Sequence, residues 1–432
     1  MKRLIITMFL LVLVVAGCAS ILEDDRISET PHSGVQHDRQ PEEHVEVSNY
    51  DELKAEMLNC VIQHEGTARM RAYSYDGDIA LDIRRARFEI MNIDPIGAYA
   101  VFEISGESTR IVSYYEINVS IEYKRTKQQI DSIVNVSTLR YLRTELLKAI
   151  SECSDEAVIR TSLNITEEEI IGFIRETYYE NPRKAVMLPI TVVDVYPVSG
   201  NDRVFELRFG YIERAGILRH RSENLALHVR RNVEIAVGEN DAEILISLAE
   251  NLMAACLYDE GVARALSVHG SQNFAATAYG ALANGSAVGE GFAMAFKALC
   301  DELGFDCEVV LGYYDGMIHA WNIITLDGEY YHIDVSMCSV YGIEAAFLKT
   351  DEDFIERYTW DMENTKRCNG TLTYEDIVEM GEDDEIEDDE DLGDETGESS
   401  EQPGDGVVEP PDGSGGETEE RPAEPGNTTD ET

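Results

Sequence analysis

The sequence predicts an α+β protein: two small modules, each a helix followed by an antiparallel meander, and a larger region beyond residue 235. Three observations carry this expectation. An amphipathic helix precedes alternating β-branched and aromatic runs in 47–160, and a capped helix precedes such runs again in 161–235. Farther on, an apolar helical pattern leads into two strand-like runs joined by Asp327-Gly328, the strongest short hairpin signal. Hydrophobic residues at 44% and charged residues at 28% are ordinary for a folded chain of 432 residues.

The ends of the chain read differently. Lys2 and Arg3 precede the apolar run Leu4 to Ala16, too short to span a bilayer comfortably, so 1–17 reads as a signal peptide. It runs into "VAGC", Val15 to Cys18. Small residues directly before a cysteine resemble the lipobox of bacterial lipoproteins, where the signal is cut before the cysteine and the sulfur receives a diacylglycerol. The resemblance implies that Cys18 is lipidated and anchors the chain on the extracytoplasmic face of the membrane. Residues 18–46 are polar and read as a flexible tether. Residues 381–432 hold 22 of the 84 acidic residues and one of the 35 basic ones, and read as a disordered acidic tail. A net charge of −49 repels phosphate backbones, so nucleic acid is not an expected partner.

In 47–160 the helix "YDELKAEMLNCVIQH" places Leu53, Met57, Leu58 and Val61 on one face. "ARMRAYSY", "ARFEIMNI", "AYAVFEIS" and "VSYYEINVSIEY" follow as strand-like runs. In 161–235 "TEEEIIGFIRETYY" opens with a capping box, Thr166 and Glu169, and leads into "AVMLPITVVDVYPV" and "DRVFELRFGYI". Two basic clusters, Arg84 to Arg87 and Arg219 to Arg231, read as solvated strand faces paired with acids; anionic lipid or wall polymer is the alternative partner. Beyond Cys18 there are seven cysteines, an odd and scattered set that makes no disulfide framework. No Cys or His pair has zinc spacing, so neither a structural metal nor a cofactor is expected.

The chemistry lies in 236–380. In "GSAVGEGFAMAFKALC" the residues Phe292, Phe296, Leu299, Cys300 and Leu303 form one buried face of a helix. Position 289 lies on that face at the N-terminal end, where N–H groups are unpaired and the dipole is positive. A thiol there would be activated, but the residue is Gly289. Downstream, a two-residue turn at 327–328 sets Asp334 opposite Trp321 and Ser336 opposite His319. His319 and Asp334 become diagonal neighbours on one face, roughly 7–8 Å apart at the backbone. A carboxylate so placed holds an imidazole in one tautomer and favours its protonated form.

These residues stand in a longer pattern. "AYGALANGSAVGEGFAMAFKALCDELGF", "MIHAWNIITLDGEYYHIDVSM" and "FLKTDEDFIERYTWDMENTKRC" occur in that order, with "NLMAACLYDEGVAR" upstream. The run resembles the transglutaminase-like superfamily, whose bacterial members read "AVCEGYAxAFK" and "GGHAWNxxxxDGxWYHxDPTW". The resemblance implies a papain-like α+β fold over 236–380 and a Cys-His-Asp triad. His319 matches the catalytic histidine, Asp334 the aspartate, and Gly289 occupies the cysteine position. Val335-Ser336-Met337 replaces Pro-Thr-Trp, a second departure, beside the aspartate. Trp360 and Cys368 fall where relatives have Trp and Cys.

No obvious residue replaces the thiol. Cys300 faces the same way three turns on, about 16 Å away. Ser286 precedes the helix as an unactivated hydroxyl. Gly289 itself could serve as a helix N-cap. Two functions are open at this point. One is a non-catalytic, membrane-anchored domain that binds peptide or cell-wall polymer, the ligand class implied by the resemblance. The other is a hydrolase or acyltransferase using His319 and Asp334 with a non-standard nucleophile.

Overall fold

The computed structural model describes residues 44–269 and 272–379. The expectations for Cys18, for most of the tether and for the acidic tail lie outside them. Among the described residues no helix is long and apolar enough to cross a membrane.

The fold is mixed helix and sheet. The first sheet uses β1 (Val45–Glu46), β2 (Thr67–Ala72), β3 (Val101–Ile111) and β4 (Tyr114–Tyr123), in the order β1-β2-β4-β3. β1 pairs parallel with β2 and the other pairs are antiparallel. Val45 and Glu46 are therefore strand residues, although the sequence placed them in the tether. Helix α1 (Tyr50–Gln63) starts where the Asn49 side chain accepts from the Glu52 N–H, and it buries Leu53, Met57, Cys60 and Val61. Helix α2 (Ile79–Asn92) absorbs most of "ARFEIMNI", which is thus not a strand. Asp78 caps it, and Ile79, Ile83, Ala86 and Ile90 recur at helical spacing on its buried face. A short helix, α3 (Pro95–Ala100), leads into β3.

The second sheet repeats this plan after the linker helix α4 (Lys127–Asp131). It uses β5 (Val134–Val136), β6 (Glu156–Thr161), β7 (Ile190–Tyr196) and β8 (Arg203–Gly210), in the order β5-β6-β8-β7. β5 pairs parallel with β6, and the rest are antiparallel. Its helices are α5 (Leu139–Ser151) and α6 (Glu167–Glu180), the latter opened by the Thr166–Glu169 capping box. Each unit is therefore βαβαββ rather than a helix followed by a meander. The second draws its first two strands from upstream of residue 160, so a boundary there would cut its sheet. The units meet through Arg125, whose guanidinium lies 2.6 Å from Glu206 and over the rings of Tyr99 and Tyr196.

The second unit and the region beyond share one core, running from Val136 to Ile377 without a break at 235. Helix α7 (Ala215–Glu234) carries the second basic cluster, and α2 the first, so both lie on helices rather than strands. Arg221 pairs with Glu213 and covers Phe274, while Arg85 pairs with Glu89. Next come α8 (Asp241–Ala255), β9 (Leu257–Tyr258), α9 (Glu260–His269), β10 (Ser286–Ala287) and α10 (Gly289–Leu303). From Gly291 to Cys300 every residue of α10 is buried, so the helix is enclosed on all sides rather than on one face. Its one buried cation, Lys297, is satisfied by Asp301 at 2.9 Å and the Cys307 carbonyl at 2.8 Å. The last sheet wraps this helix with β11 (Cys307–Tyr314), β12 (Met317–Leu326), β13 (Glu329–Ile333) and β14 (Tyr358–Trp360), in the order β13-β12-β11-β14. Helix α11 (Val335–Tyr341) follows β13, and α12 (Asp351–Phe354) precedes β14.

Candidate functional site

The β12–β13 hairpin positions the site. Asp327 and Gly328 take φ of 53° and 83°, a pair of positive values that matches the strand twist. Leu326 pairs with Glu329 and Asn322 with Ile333, the expected register. Asp334 follows as the N-cap of α11, its side chain accepting from the Met337 N–H. His319 Nε2 and Asp334 Oδ2 are 2.7 Å apart, both side chains buried. The Tyr358 hydroxyl donates to Asp334 Oδ2 at 2.9 Å and Ser336 Oγ to Oδ1 at 2.6 Å. Burial alone would raise this carboxyl, but the charge and hydrogen bond of His319, with Ser336 and the Met337 N–H, hold it below the usual carboxylate range. Ser336 thus supports the aspartate.

With Nε2 on Asp334, the other imidazole nitrogen faces α10. Gly289 is the first residue of that helix and Val288 the N-cap, so the glycine does not cap it. A β-carbon at Gly289 would lie 2.3 Å from His319 Cε1 and 2.5 Å from Nδ1. The imidazole therefore rests against the glycine backbone, in the volume where a side chain would begin.

The other candidates for a nucleophile are elsewhere. Ser286 Oγ sits 3.4 Å from Asp259 and does not reach His319. Cys300 is buried, and burial raises its thiol well above the ordinary value. Ser336 Oγ lies 3.5 Å from His319 Nε2, but it is fully buried, donates to Asp334 and occupies the aspartate side of the ring. All seven described cysteines are free and buried.

A cleft of about 670 Å³ opens over Gly289 and His319. One wall comes from the third region, with Tyr258, Thr277, Leu311, Tyr313 and Ile318 among its residues. The other comes from the second βαβαββ unit, through Arg175, Tyr179 and the stretch Met187 to Ile190. Beside Gly289, Glu290 accepts a 2.7 Å hydrogen bond from the Tyr179 hydroxyl. The residue is half-buried, but its carboxyl sits deep enough that loss of water raises it to about 7; Tyr179 and Arg175 pull the other way. The sequence reading missed Glu290, Tyr179 and Arg175. Glu290 stands next to the glycine, but its environment is set by a helix more than a hundred residues upstream.

A second buried histidine cluster lies behind the first. Donor atoms of His332, Asp351 and Cys368 fall within 4.8 Å of one another, a set that could in principle hold a cation. The hydrogen bonds argue otherwise. Trp321 Nε1 donates to His332 Nδ1 at 3.0 Å, so the ring proton sits on Nε2, which faces Asp351 at 3.0 Å. A metal on Nε2 would require a doubly deprotonated ring. Burial pushes the Cys368 thiol up to about 12, which opposes thiolate ligation as well.

No family model matches the sequence, and no curated protein matches it. Among solved structures the chain is similar to a TGase, at 12% identity and a TM-score of 0.25, over 50% of this chain and 60% of that one. It is also similar to a protein from Cytophaga hutchinsonii described as a candidate cysteine protease, at 12% identity and a TM-score of 0.21, over 34% of this chain and 62% of that one. A candidate protease from Parabacteroides distasonis follows, at 11% identity and a TM-score of 0.17, over 53% of this chain and 51% of that one. The chain thus spans about three fifths of the TGase chain it matches, and the similarity is distant in every case.

Proposed function

We propose that this chain is a membrane-anchored extracytoplasmic lipoprotein. In this reading its transglutaminase-like region has lost the nucleophile and binds an extended peptide or wall-polymer chain without cutting it. The observation that carries the reading is the contact between His319 and Gly289: the base and its carboxylate partner are assembled, and the imidazole leans on a backbone without a side chain. Acyl transfer needs a nucleophile within reach of the base, and loss of one triad member costs many orders of magnitude in rate. The hydroxyl within hydrogen-bond distance of the imidazole, Ser336, is closed off from the cleft. The cleft itself remains, with a volume of about 670 Å³, and is rimmed by the exposed apolar side chains of Ile190, Leu311, Tyr313 and Ile318. These would take alternate side chains of an extended ligand.

The test is calorimetric binding of an N-acetylated, C-terminally amidated tripeptide, acetyl-Ala-Leu-Ala-amide. The expected result is saturable binding that falls ~10-fold in Ile318→Asp, a change at an exposed rim position that the core does not feel. Equal binding by the variant would place the ligand elsewhere. The anchor rests on "VAGC" and has its own test. Mass spectrometry of the mature chain should find a diacylglyceryl group on Cys18, and Cys18→Ser should release the protein; an intact signal peptide carrying an unmodified Cys18 would refute it.

A further inference from the structure

The floor of the cleft is built of donors without acceptors. Helix α10 is long and has no side-chain cap: its N-cap is Val288, and the first N–H to find a helical partner is that of Phe292, bonded to the Val288 carbonyl. The N–H groups of Gly289, Glu290 and Gly291 have no acceptor among the described residues. Unpaired N–H groups at a helix start, with the dipole behind them, attract an anion. A second and independent feature stands beside them. His319 is more than nine-tenths buried, with Nε2 on Asp334, and Nδ1 has no partner among the described residues as it faces Gly289 across the cleft floor. Where a thiolate and a substrate carbonyl would share this space in an enzyme, the missing side chain leaves the donors to a ligand.

We propose that this end of the cleft is a receptor for the C-terminal carboxylate of a peptide chain, held by the Gly289 and Glu290 N–H groups, which line it, and by Nδ1–H of His319 as an imidazolium. The assignment rests on the reading of the cleft as a chain-binding site. Asp334 balances the imidazolium from the far side of the ring, so the ion pair with the ligand does not leave a buried charge alone. A planar, singly charged carboxylate matches two adjacent N–H groups and one N⁺–H. A phosphate dianion would meet the Glu290 carboxyl once that group ionises. The chain leading to the carboxylate would lie along the apolar rim. The charged and titratable groups that face Glu290 here are Tyr178, Tyr179 and Arg175 from α6 and His319 from β12, with Tyr258 across the cleft.

The experiment compares acetyl-Ala-Leu-Ala as the free acid with its C-terminal amide, by calorimetry on the full chain. At pH 6 the acid should bind at least ~10-fold tighter, the worth of a charge-assisted hydrogen bond or two. That preference should shrink by pH 8, because Glu290 loses its proton near 7 and sets a negative charge beside the ligand. His319→Gln should remove most of the preference. In unmutated protein labelled with 15N-glycine, the Gly289 amide should shift on adding the acid and not the amide, a readout that needs no variant to fold. Equal affinity for acid and amide would overturn the receptor while leaving the chain-binding cleft intact. Failure of both peptides to bind would overturn the cleft reading as well. A peptide amide ending in glutamate that bound as tightly as the acid would overturn the assignment to a chain end.

Discussion

Two histidines of one hairpin are buried to nearly the same degree, His319 at 6% and His332 at 0% exposure, and they do different things. His332 is closed: Trp321 donates to one nitrogen, Asp351 accepts from the other, and its ring stacks on Phe354 at 4.6 Å. His319 is half open, with Asp334 on one nitrogen and the cleft floor before the other. A buried imidazole with both nitrogens satisfied is a structural brace, because any change in its protonation breaks a bond. One with a free nitrogen at the floor of a cleft can respond to a ligand. The contrast separates the part of this region that holds the fold from the part that meets a partner.

The largest expected effect comes from breaking the closed histidine. His332→Ala would leave a cavity and strand both the Trp321 N–H and Asp351, at a cost of about 3–5 kcal/mol, read from urea unfolding. If His319→Ala cost as much, the distinction between brace and ligand site would fail. Next in size is the pH dependence of Glu290. Its carboxyl is raised from an ordinary 4.5 to about 7, so between those values the unfolded chain has lost the proton that the folded chain keeps. Stability from this group therefore falls as pH rises through that window, by up to about 3 kcal/mol. Glu290→Gln should flatten that part of the stability curve, and an unchanged curve would show that the carboxyl is better hydrated than its surroundings indicate.

Opening the other histidine should matter less to the fold. His319→Ala removes one of the bonds to Asp334 and leaves those from Tyr358, Ser336 and the Met337 N–H, so about 1–3 kcal/mol is expected. The depressed Asp334 carboxyl contributes stability above its unfolded value, and that contribution is lost as pH falls through the folded one. Without His319 the loss should begin at a higher pH, visible as an earlier acid transition. An acid transition that does not move would mean that the histidine carries little of the shift.

The His319 side of this contrast was legible along the chain and the His332 side was not, and the limits are physical. The Asp327-Gly328 turn sets the hairpin register locally, so the His319–Asp334 contact followed from counting residues. The capping box at Thr166 and Glu169 is equally local. Misreading "ARFEIMNI" as a strand came from starting at Ala86; the helical period begins upstream at Ile79, after the Asp78 cap. Strands β1 and β5 are too short to carry a period of two, which hid the βαβαββ repeat. The second wall of the cleft was invisible for another reason. Tyr179 meets Glu290 only after the second unit docks on α10, and no local pattern encodes that encounter.

An effect on the fold of similar size concerns Gly289. A β-carbon there meets the His319 ring, which must swing aside, so Gly289→Cys should cost about 1–3 kcal/mol. The new thiol, at a helix start and beside an imidazole, should alkylate with an apparent pKa below the unperturbed 8.5 or so. The described cysteines of the unmutated protein should not react, since all are buried. A thiol at 289 indifferent to His319→Gln would show that the half-open histidine does not face this helix in solution.

The central claim is binding without turnover, and the most direct measurement follows one peptide through both. Acetyl-Ala-Leu-Ala-amide is held with saturating protein for days, binding is recorded, and the peptide is weighed by mass spectrometry with and without an added primary amine. The account predicts a bound peptide recovered at its original mass. Cleavage or amine incorporation that disappears in His319→Ala would contradict it, because His319 would then be serving a nucleophile other than a side chain at position 289.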